Sequence, residues 1–267
     1  EVKAGEAFAL RTWNRFKQRA LYNYDEVRNR ADLSGTSHLS HALAFGEIHP
    51  RTLLAELRDV SGHNIFRKEI AWREFYYHIL YHRPDVESQA FLERYRDLKW
   101  ENREDYFEAW KAGRTGYPIV DAAARQLLQS GFMHNRARMI SASFLTKDLL
   151  VDWREGEAHF LRNLVDGDIA ANNGGWQWSA STGTDAQPYF RIFNPVTQSG
   201  NFDADGAYVR HWVPELAALP APAIQADPEA MRKAGVGDLK TVHEWDKKSG
   251  WSIQSTTGVL AWCNEVA

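Results

Sequence analysis

Cysteine is almost absent: Cys263 is the only one in 267 residues. A lone thiol cannot close an internal disulfide, and it excludes multi-cysteine zinc and iron–sulfur sites. A reducing, cytoplasmic setting is therefore expected. Long apolar runs are missing as well. No stretch approaches the roughly 20 residues of a membrane span, and the N-terminus has no basic region leading into an apolar core, so no signal peptide is read. Positive charge is not in surplus either. With 32 Lys+Arg against 35 Asp+Glu the net charge is −3, which argues against a chain that is basic over its whole surface but leaves room for one basic face. Alternating β-branched runs never exceed a few positions, so strands are not expected.

What the chain does have is tryptophan, eleven of them, together with a succession of helical patterns. In residues 5–22, Phe8, Trp13, Phe16 and Leu21 fall near one face of a helix. A polar stretch at Ser34-Gly35-Thr36-Ser37 precedes a short helix and a turn at His49-Pro50, with another short helix over 50–60. The clearest helix is Phe66 to His82, where Trp72, Phe75, Tyr76, Ile79 and Leu80 recur at helical spacing before Pro84. Residues 119–130 read as a helix closed by Gly131. A long helix over 135–152 and another over 155–165 follow. Asp166 to Pro195 reads as irregular and rich in Gly and Asn. Residues 214–228 carry four of the nine prolines and read as a linker or surface wrap. The fold class expected is all-α, one helical domain over 1–224 with a C-terminal tail over 225–267.

Four groupings stand out chemically. Between Ala122 and Lys147 the cations Arg125, Arg136, Arg138 and Lys147, with His134, meet no acid at all. Arg138 shares a helix face with Asn135 and Met139, while Arg136 points about 100° away. One arginine could then face inward and its neighbour outward, either as a solvated face or as a phosphate clamp. Glu69, Trp72, Arg73 and Tyr76 share one side of the 66–82 helix, a combination costly to bury without purpose. The segment Asp166-Gly167-Asp168 through Asn172-Asn173-Gly174-Gly175-Trp176-Gln177-Trp178 permits tight turns and close approach to a ligand. Gln177 stands where a calcium loop needs its bidentate Glu, so calcium is rejected. Gly35-Thr36-Ser37 could hold a phosphate or simply cap a helix, and without a P-loop lysine it does not point to nucleotide hydrolysis. No metal site is expected.

Taken together these segments resemble the helical FAD-binding domain of the photolyase/cryptochrome family. The runs DGDIAANNGGWQWSASTGTDAQPYFRIFNP (166–195) and MHNRARMISASFLTKDLLVDWREGE (133–157) carry the resemblance, supported by GTSHLSHALAFGEIHPR (35–51) and EIAWREFYYHIL (69–80). The subtype it looks most like is a class I cyclobutane pyrimidine dimer photolyase. The resemblance implies FAD as cofactor, held by Tyr24, Thr36, Ser37, His38, Leu39, Ser40, Arg138, Asp166, Gly167, Asp168 and Asn172, with Asn172 at flavin N5. It implies a cavity for a flipped-out lesion, with Trp72 and Trp178 stacking on the pyrimidines and Glu69 bonding to or protonating them. Arg28, Arg73, Tyr76, Asn135, Arg136, Met139 and Gln198 would complete the lesion and DNA contacts. Trp176, Trp153 and Trp100 match the family's electron-relay tryptophans.

The activity so implied is light-driven repair of UV-damaged DNA by a monomer, with no membrane association and a cytoplasmic or nucleoid location. A blue-light receptor on the same scaffold and an inactive DNA-binding fragment are the alternatives; Asn172 speaks against the plant-type receptor, which carries an acid there. Nothing corresponds to the family's N-terminal α/β antenna domain, so the chain is expected to be a fragment without an antenna pigment. His38 and His41 replace other residues of the family pattern, and 237–267 does not resemble its C-terminal helix.

Overall fold

The computed structural model describes residues 3–186, 191–226 and 233–236. Among them thirteen α-helices and no strand form: α1 (Glu6–Arg19), α2 (Tyr24–Val27), α3 (Ser40–Ala44), α4 (Pro50–Ala55), α5 (Ser61–His82), α6 (Glu104–Lys111), α7 (Pro118–Ser130), α8 (Asn135–Ser143), α9 (Trp153–Asn163), α10 (Ile169–Ala180), α11 (Pro195–Phe202), α12 (Ala207–Trp212) and α13 (Ala221–Ala226). Side-chain caps open several of them. His134, Asp152, Asp168 and Asn194 each accept a backbone N–H from the first turn of α8, α9, α10 and α11, satisfying donors that a helix start leaves without partners. At the other end of α7, Gly131 closes the helix in the left-handed region, as its sequence position implied.

Two hydrophobic clusters hold these helices. In the smaller, Phe66 of α5 sits in a nest of Trp13, Phe16 and Tyr24, with ring centroids 5.5, 5.3 and 5.4 Å away. The larger runs through α6 to α10 and α12 around Trp110, Trp153, Phe160 and Trp176. Rings of this size dominate core burial, and their tilted and edge-on contacts add to it. Helix α5 lies between the clusters: Phe66 and Ile70 belong to the smaller one, while its Tyr76 side packs on α10.

Three sequence expectations need correction. The helix expected over 135–152 stops being α-helical at Phe144, becomes a π turn to Asp148, and ends with Leu150 at φ 52°. Lys147 and Asp148 are the reason to look for one there, since both are buried in that turn. Lys147 donates to Ser181 Oγ at 2.6 Å and to the Arg191 carbonyl at 3.3 Å, and an inserted residue is how a helix turns such a side chain inward. The stretch expected to be irregular, 166–195, contains α10. Of residues 214–228, the described part to 226 is mostly exposed or half-buried, but it carries α13, and Leu216 and Ile224 anchor it in the larger cluster. Most of the expected tail, 227–232 and 237–267, lies outside the described residues; Val236 is buried against the larger cluster.

Candidate functional site

Helix α5 supplies the first wall. Glu69 accepts an ion pair from Arg28, just past α2, at 2.7 Å. The Arg28 guanidinium also lies 5.7 Å from the centre of the buried Tyr24 ring. Burial raises the Glu69 carboxyl, and Arg28 opposes that shift. The Tyr24 phenol is pushed up to about 12, first by burial and then by Glu69. One turn on, Trp72 is 40% exposed, stacked on Tyr76 with ring centroids 6.0 Å apart. An indole face this open, with an acid a turn away, is a platform for a planar apolar group that carries polar edges. Arg73 does not join Glu69. It reaches across to the Leu43 carbonyl at 3.2 Å and the Tyr77 hydroxyl at 3.3 Å, and Tyr77 in turn donates to Asp168.

The facing wall comes from α8, α9 and α10. Arg138 bonds both oxygens of Asp166, at 3.0 and 2.8 Å. Asp168 caps α10 through Ala171 N at 2.8 Å, and Gly167 turns between the two acids, donating to the Leu164 carbonyl at 3.2 Å. Asn172 donates its amide to the Glu157 carbonyl at 3.0 Å. One helical turn beyond, Gly175 is exposed, and a Cβ built there would meet no atom within 4 Å. At Gly175 α10 is therefore open. About 100° round the helix, a Cβ at Gly174 would lie 2.1 Å from the Tyr76 ring.

In the segment Thr36 to Ser40, Leu39 is buried in the smaller cluster, so only its backbone is available to a ligand. Its N–H meets Ser37 Oγ at 3.4 Å. His38 adopts φ 52° and lays its ring 5.1 Å from that of Phe132. Asn135 is exposed and points its amide at the Met139 sulfur, 3.8 Å away. Trp178 is half-buried, edge-on to Phe193 at 6.4 Å. Gln198 is half-buried with Oε1 lacking a partner. Of the three relay candidates, Trp153 and Trp176 are fully buried and Trp100 is half-buried. The Trp176 indole N–H has no partner.

The acid-free run does not make one basic face. Arg125 pairs with Glu215 at 2.8 Å, Arg138 with Asp166, and Lys147 is buried. Nor does Arg136 simply point outward. It is half-buried, donates to Asn29 Oδ1 at 2.8 Å and covers the Phe202 ring at 4.4 Å, with Nε unpartnered. Burial, then Arg28 and Arg191, lowers its pKa. The cations that gather are thus Arg28, Arg136 and Arg191. Sequence reasoning missed Arg191, and it missed Tyr77, the link between α5 and Asp168. It also missed the buried trio Glu157, Asn173 and Gln177: Asn173 donates to Glu157 Oε1 at 3.1 Å, and Gln177 to Asn173 Oδ1 at 3.1 Å. The four-residue spacing of Asn173 and Gln177 on one helix was the available signal. Among the described residues no group of three His, Cys, Asp or Glu side chains could hold a metal.

The model of the FAD-binding domain of DNA photolyase matches residues 66–248. The chain belongs to this family. Among relatives of this photolyase domain, a deoxyribodipyrimidine photo-lyase of Escherichia coli is 46% identical over 239 residues, covering 86% of this chain and 51% of that protein. A class III photolyase structure from Agrobacterium tumefaciens superposes with TM-score 0.84 at 42% identity, over 98% of this chain and 56% of that one. An archaeal photolyase from Sulfolobus tokodaii, solved with two FAD molecules, gives TM-score 0.78 at 35% identity, over 92% and 57%. The photolyase domain described here thus spans about half the length of the curated relatives it matches.

Proposed function

We propose that this chain is the flavin-binding, catalytic part of a light-driven DNA repair enzyme that splits cyclobutane pyrimidine dimers. One observation carries the reading. Inside a photolyase FAD-binding domain, an exposed indole (Trp72) and an arginine-paired acid (Glu69) lie one turn apart on α5, and α10 is open at Gly175, one turn from Asn172. FAD fits the residues present. Backbone groups and hydroxyls of Thr36 to Ser40 suit its phosphates, Arg138 and Asp166 its flavin edge, Asp168 its ribose, and Asn172 the flavin N5. Bound FAD supplies light absorption and a transferable electron; the protein supplies placement and electrostatics.

The chain's own residues then have distinct tasks. Trp72 and Trp178 stack on the two pyrimidines of a flipped-out lesion, and flipping costs least for a damaged, poorly stacked pair. Glu69 presents a hydrogen bond or proton to the lesion, with Tyr76 behind it. Asn135 and Met139 line the cavity floor, and Arg28, Arg136 and Gln198 meet the strand. Buried Trp176 and Trp153, with Trp100 nearer the surface, form a path for electrons. The protein works as a monomer in the cytoplasm, on the nucleoid if its source is bacterial, with no part in a membrane.

The test is direct. The purified protein, reduced, is illuminated with UV-damaged oligothymidylate, and dimer loss is followed alongside flavin absorption. Light-dependent loss is expected. Bound flavin without dimer loss would replace this reading with that of a light receptor, and no flavin would reduce the chain to an inert fragment.

A further inference from the structure

We propose that Arg28 changes partners when damaged DNA arrives, leaving Glu69 for a strand phosphate, and that Glu69 then takes up a proton from solvent. The inference rests on the repair reading of the same site. In the protein without DNA the Arg28–Glu69 pair is closed at 2.7 Å, yet Arg28 is 23% and Glu69 30% exposed, so the pair is within reach of an incoming strand.

The surroundings favour exchange. Arg28 and Arg191 both act electrostatically on Arg136, while among the described residues Glu69 is the carboxylate paired with Arg28. Arg136 keeps a buried Nε without a partner. This corner therefore holds cations in excess, and a phosphate answers that excess better than one half-screened acid, because a guanidinium binds phosphate through a fork.

What becomes of Glu69 follows from what is left around it. The titratable groups facing it are Tyr24 of α2, Arg28 just past that helix, and Tyr76 from its own helix. Both phenols are pushed up to about 12 and stay neutral near pH 7. Among the described residues, Arg28 is thus the neighbour that holds the carboxyl ionised against its burial. Withdraw it, cover the site with a pyrimidine stack, and the charged form loses both its partner and its water. One proton moves from solvent to a carboxylate oxygen of Glu69, and no electron is transferred. The acid is then able to donate to a pyrimidine carbonyl, and only a seated lesion arms it. Arg28 is a positioning residue in this scheme.

Calorimetric titration of the flavin-loaded protein with UV-damaged oligothymidylate, near pH 7 in buffers of different ionisation heat, tests the exchange. Uptake of up to about one proton per bound lesion is expected. It should vanish in Glu69→Gln. It should also fall in Arg28→Gln, where Glu69 has lost the cation that opposes its burial, and return in Arg28→Lys. Infrared difference spectra on lesion binding should show a protonated carboxyl stretch that Glu69→Gln removes, a readout independent of the heats. Lesion binding with no proton uptake, or uptake that persists in Glu69→Gln, overturns the exchange and leaves the repair reading standing. Equal affinity for damaged and undamaged oligomer overturns both. Should Glu69→Gln fail to fold, the Arg28 pair decides alone: equal uptake in Arg28→Gln and wild type overturns the exchange.

Discussion

One nitrogen of Arg138, Nη2, lies 3.0 and 2.8 Å from the two carboxylate oxygens of Asp166, while Nε of the same guanidinium donates to the Met133 carbonyl at 2.8 Å. The Asp166 side chain is 3% exposed, so without Arg138 it would be an unpaired charge shut away from water. Arg138 is itself a quarter open, which moderates the loss. Arg138→Ala is expected to cost about 2–3 kcal/mol of unfolding free energy and to shed flavin. Arg138→Lys keeps a charge but not the fork, and should recover stability more than flavin. Urea titration and the flavin-to-protein absorbance ratio after gel filtration check both.

The adjacent glycines of α10 should respond in opposite senses. A Cβ at Gly174 would sit 2.1 Å from the Tyr76 ring, whereas one at Gly175 meets nothing within 4 Å. Gly174→Ala must push α10 off α5, at a cost of about 1–3 kcal/mol. Gly175→Ala fills no occupied space in the flavin-free protein and should stabilise it by about 0.5–1 kcal/mol through helix propensity. The same methyl would intrude on the space assigned to the flavin. A raised flavin-free melting temperature with lowered flavin retention is therefore expected for Gly175→Ala, and unchanged retention would count against flavin lying on that face.

These glycines also mark where sequence reading stopped. Gly131 ends α7 by a local rule, a left-handed residue that only the chain itself must satisfy, so the boundary was legible. Helix α10 was not, because Asn172-Asn173-Gly174-Gly175 is a poor helix by propensity. It forms because Asp168 caps it, because α5 needs the close approach at Gly174, and because Asn173 and Gln177 tie it to the carbonyl of Val86. Those are tertiary causes. Glu69, Trp72 and Arg28 could be placed by resemblance, but that Glu69 holds Arg28 rather than its helix neighbour Arg73 depends on where α2 docks. Lys147 looked like surface charge, and only the π turn shows it pointing inward.

Glu157 gives a pH prediction with a definite sign. Burial raises its carboxyl to about 7, partly opposed by the hydrogen bond from Asn173. A folded value above the unfolded one means a contribution fully present below about pH 4 and lost as pH rises through about 7. Glu157→Gln keeps an acceptor for Asn173 without the charge. It should be more stable than wild type at pH 8, by about 2–3 kcal/mol, and little different at pH 4.5. On the acid side both proteins should weaken together between pH 6.5 and 4, because His134 and His159 are held neutral by burial, each at about 4. Urea midpoints at pH 4.5, 6 and 8 separate the two effects; parallel profiles would remove Glu157 from the account.

DNA affinity should depend on salt through few contacts, since the acid-free stretch of sequence turned out to be mostly paired or buried. Arg28, Arg136 and Arg191 are the cations gathered at the site, and three phosphate contacts on duplex give a log–log salt slope of about −2.7. Arg136→Gln should flatten that slope by about 0.9, with damaged and undamaged DNA weakened alike, because a phosphate contact carries no information about the base. Trp72→Ala should act the other way, leaving the slope unchanged while lowering the preference for the lesion, because it removes a stacking surface and no charge. Anisotropy titrations over a range of salt read both quantities from one data set. Arg136 also covers the Phe202 ring, so Arg136→Lys, which keeps charge and stem, serves as the control: a slope close to wild type in Arg136→Lys assigns the Arg136→Gln loss to charge, whereas an equal loss in both assigns it to the packing of α8 on α11.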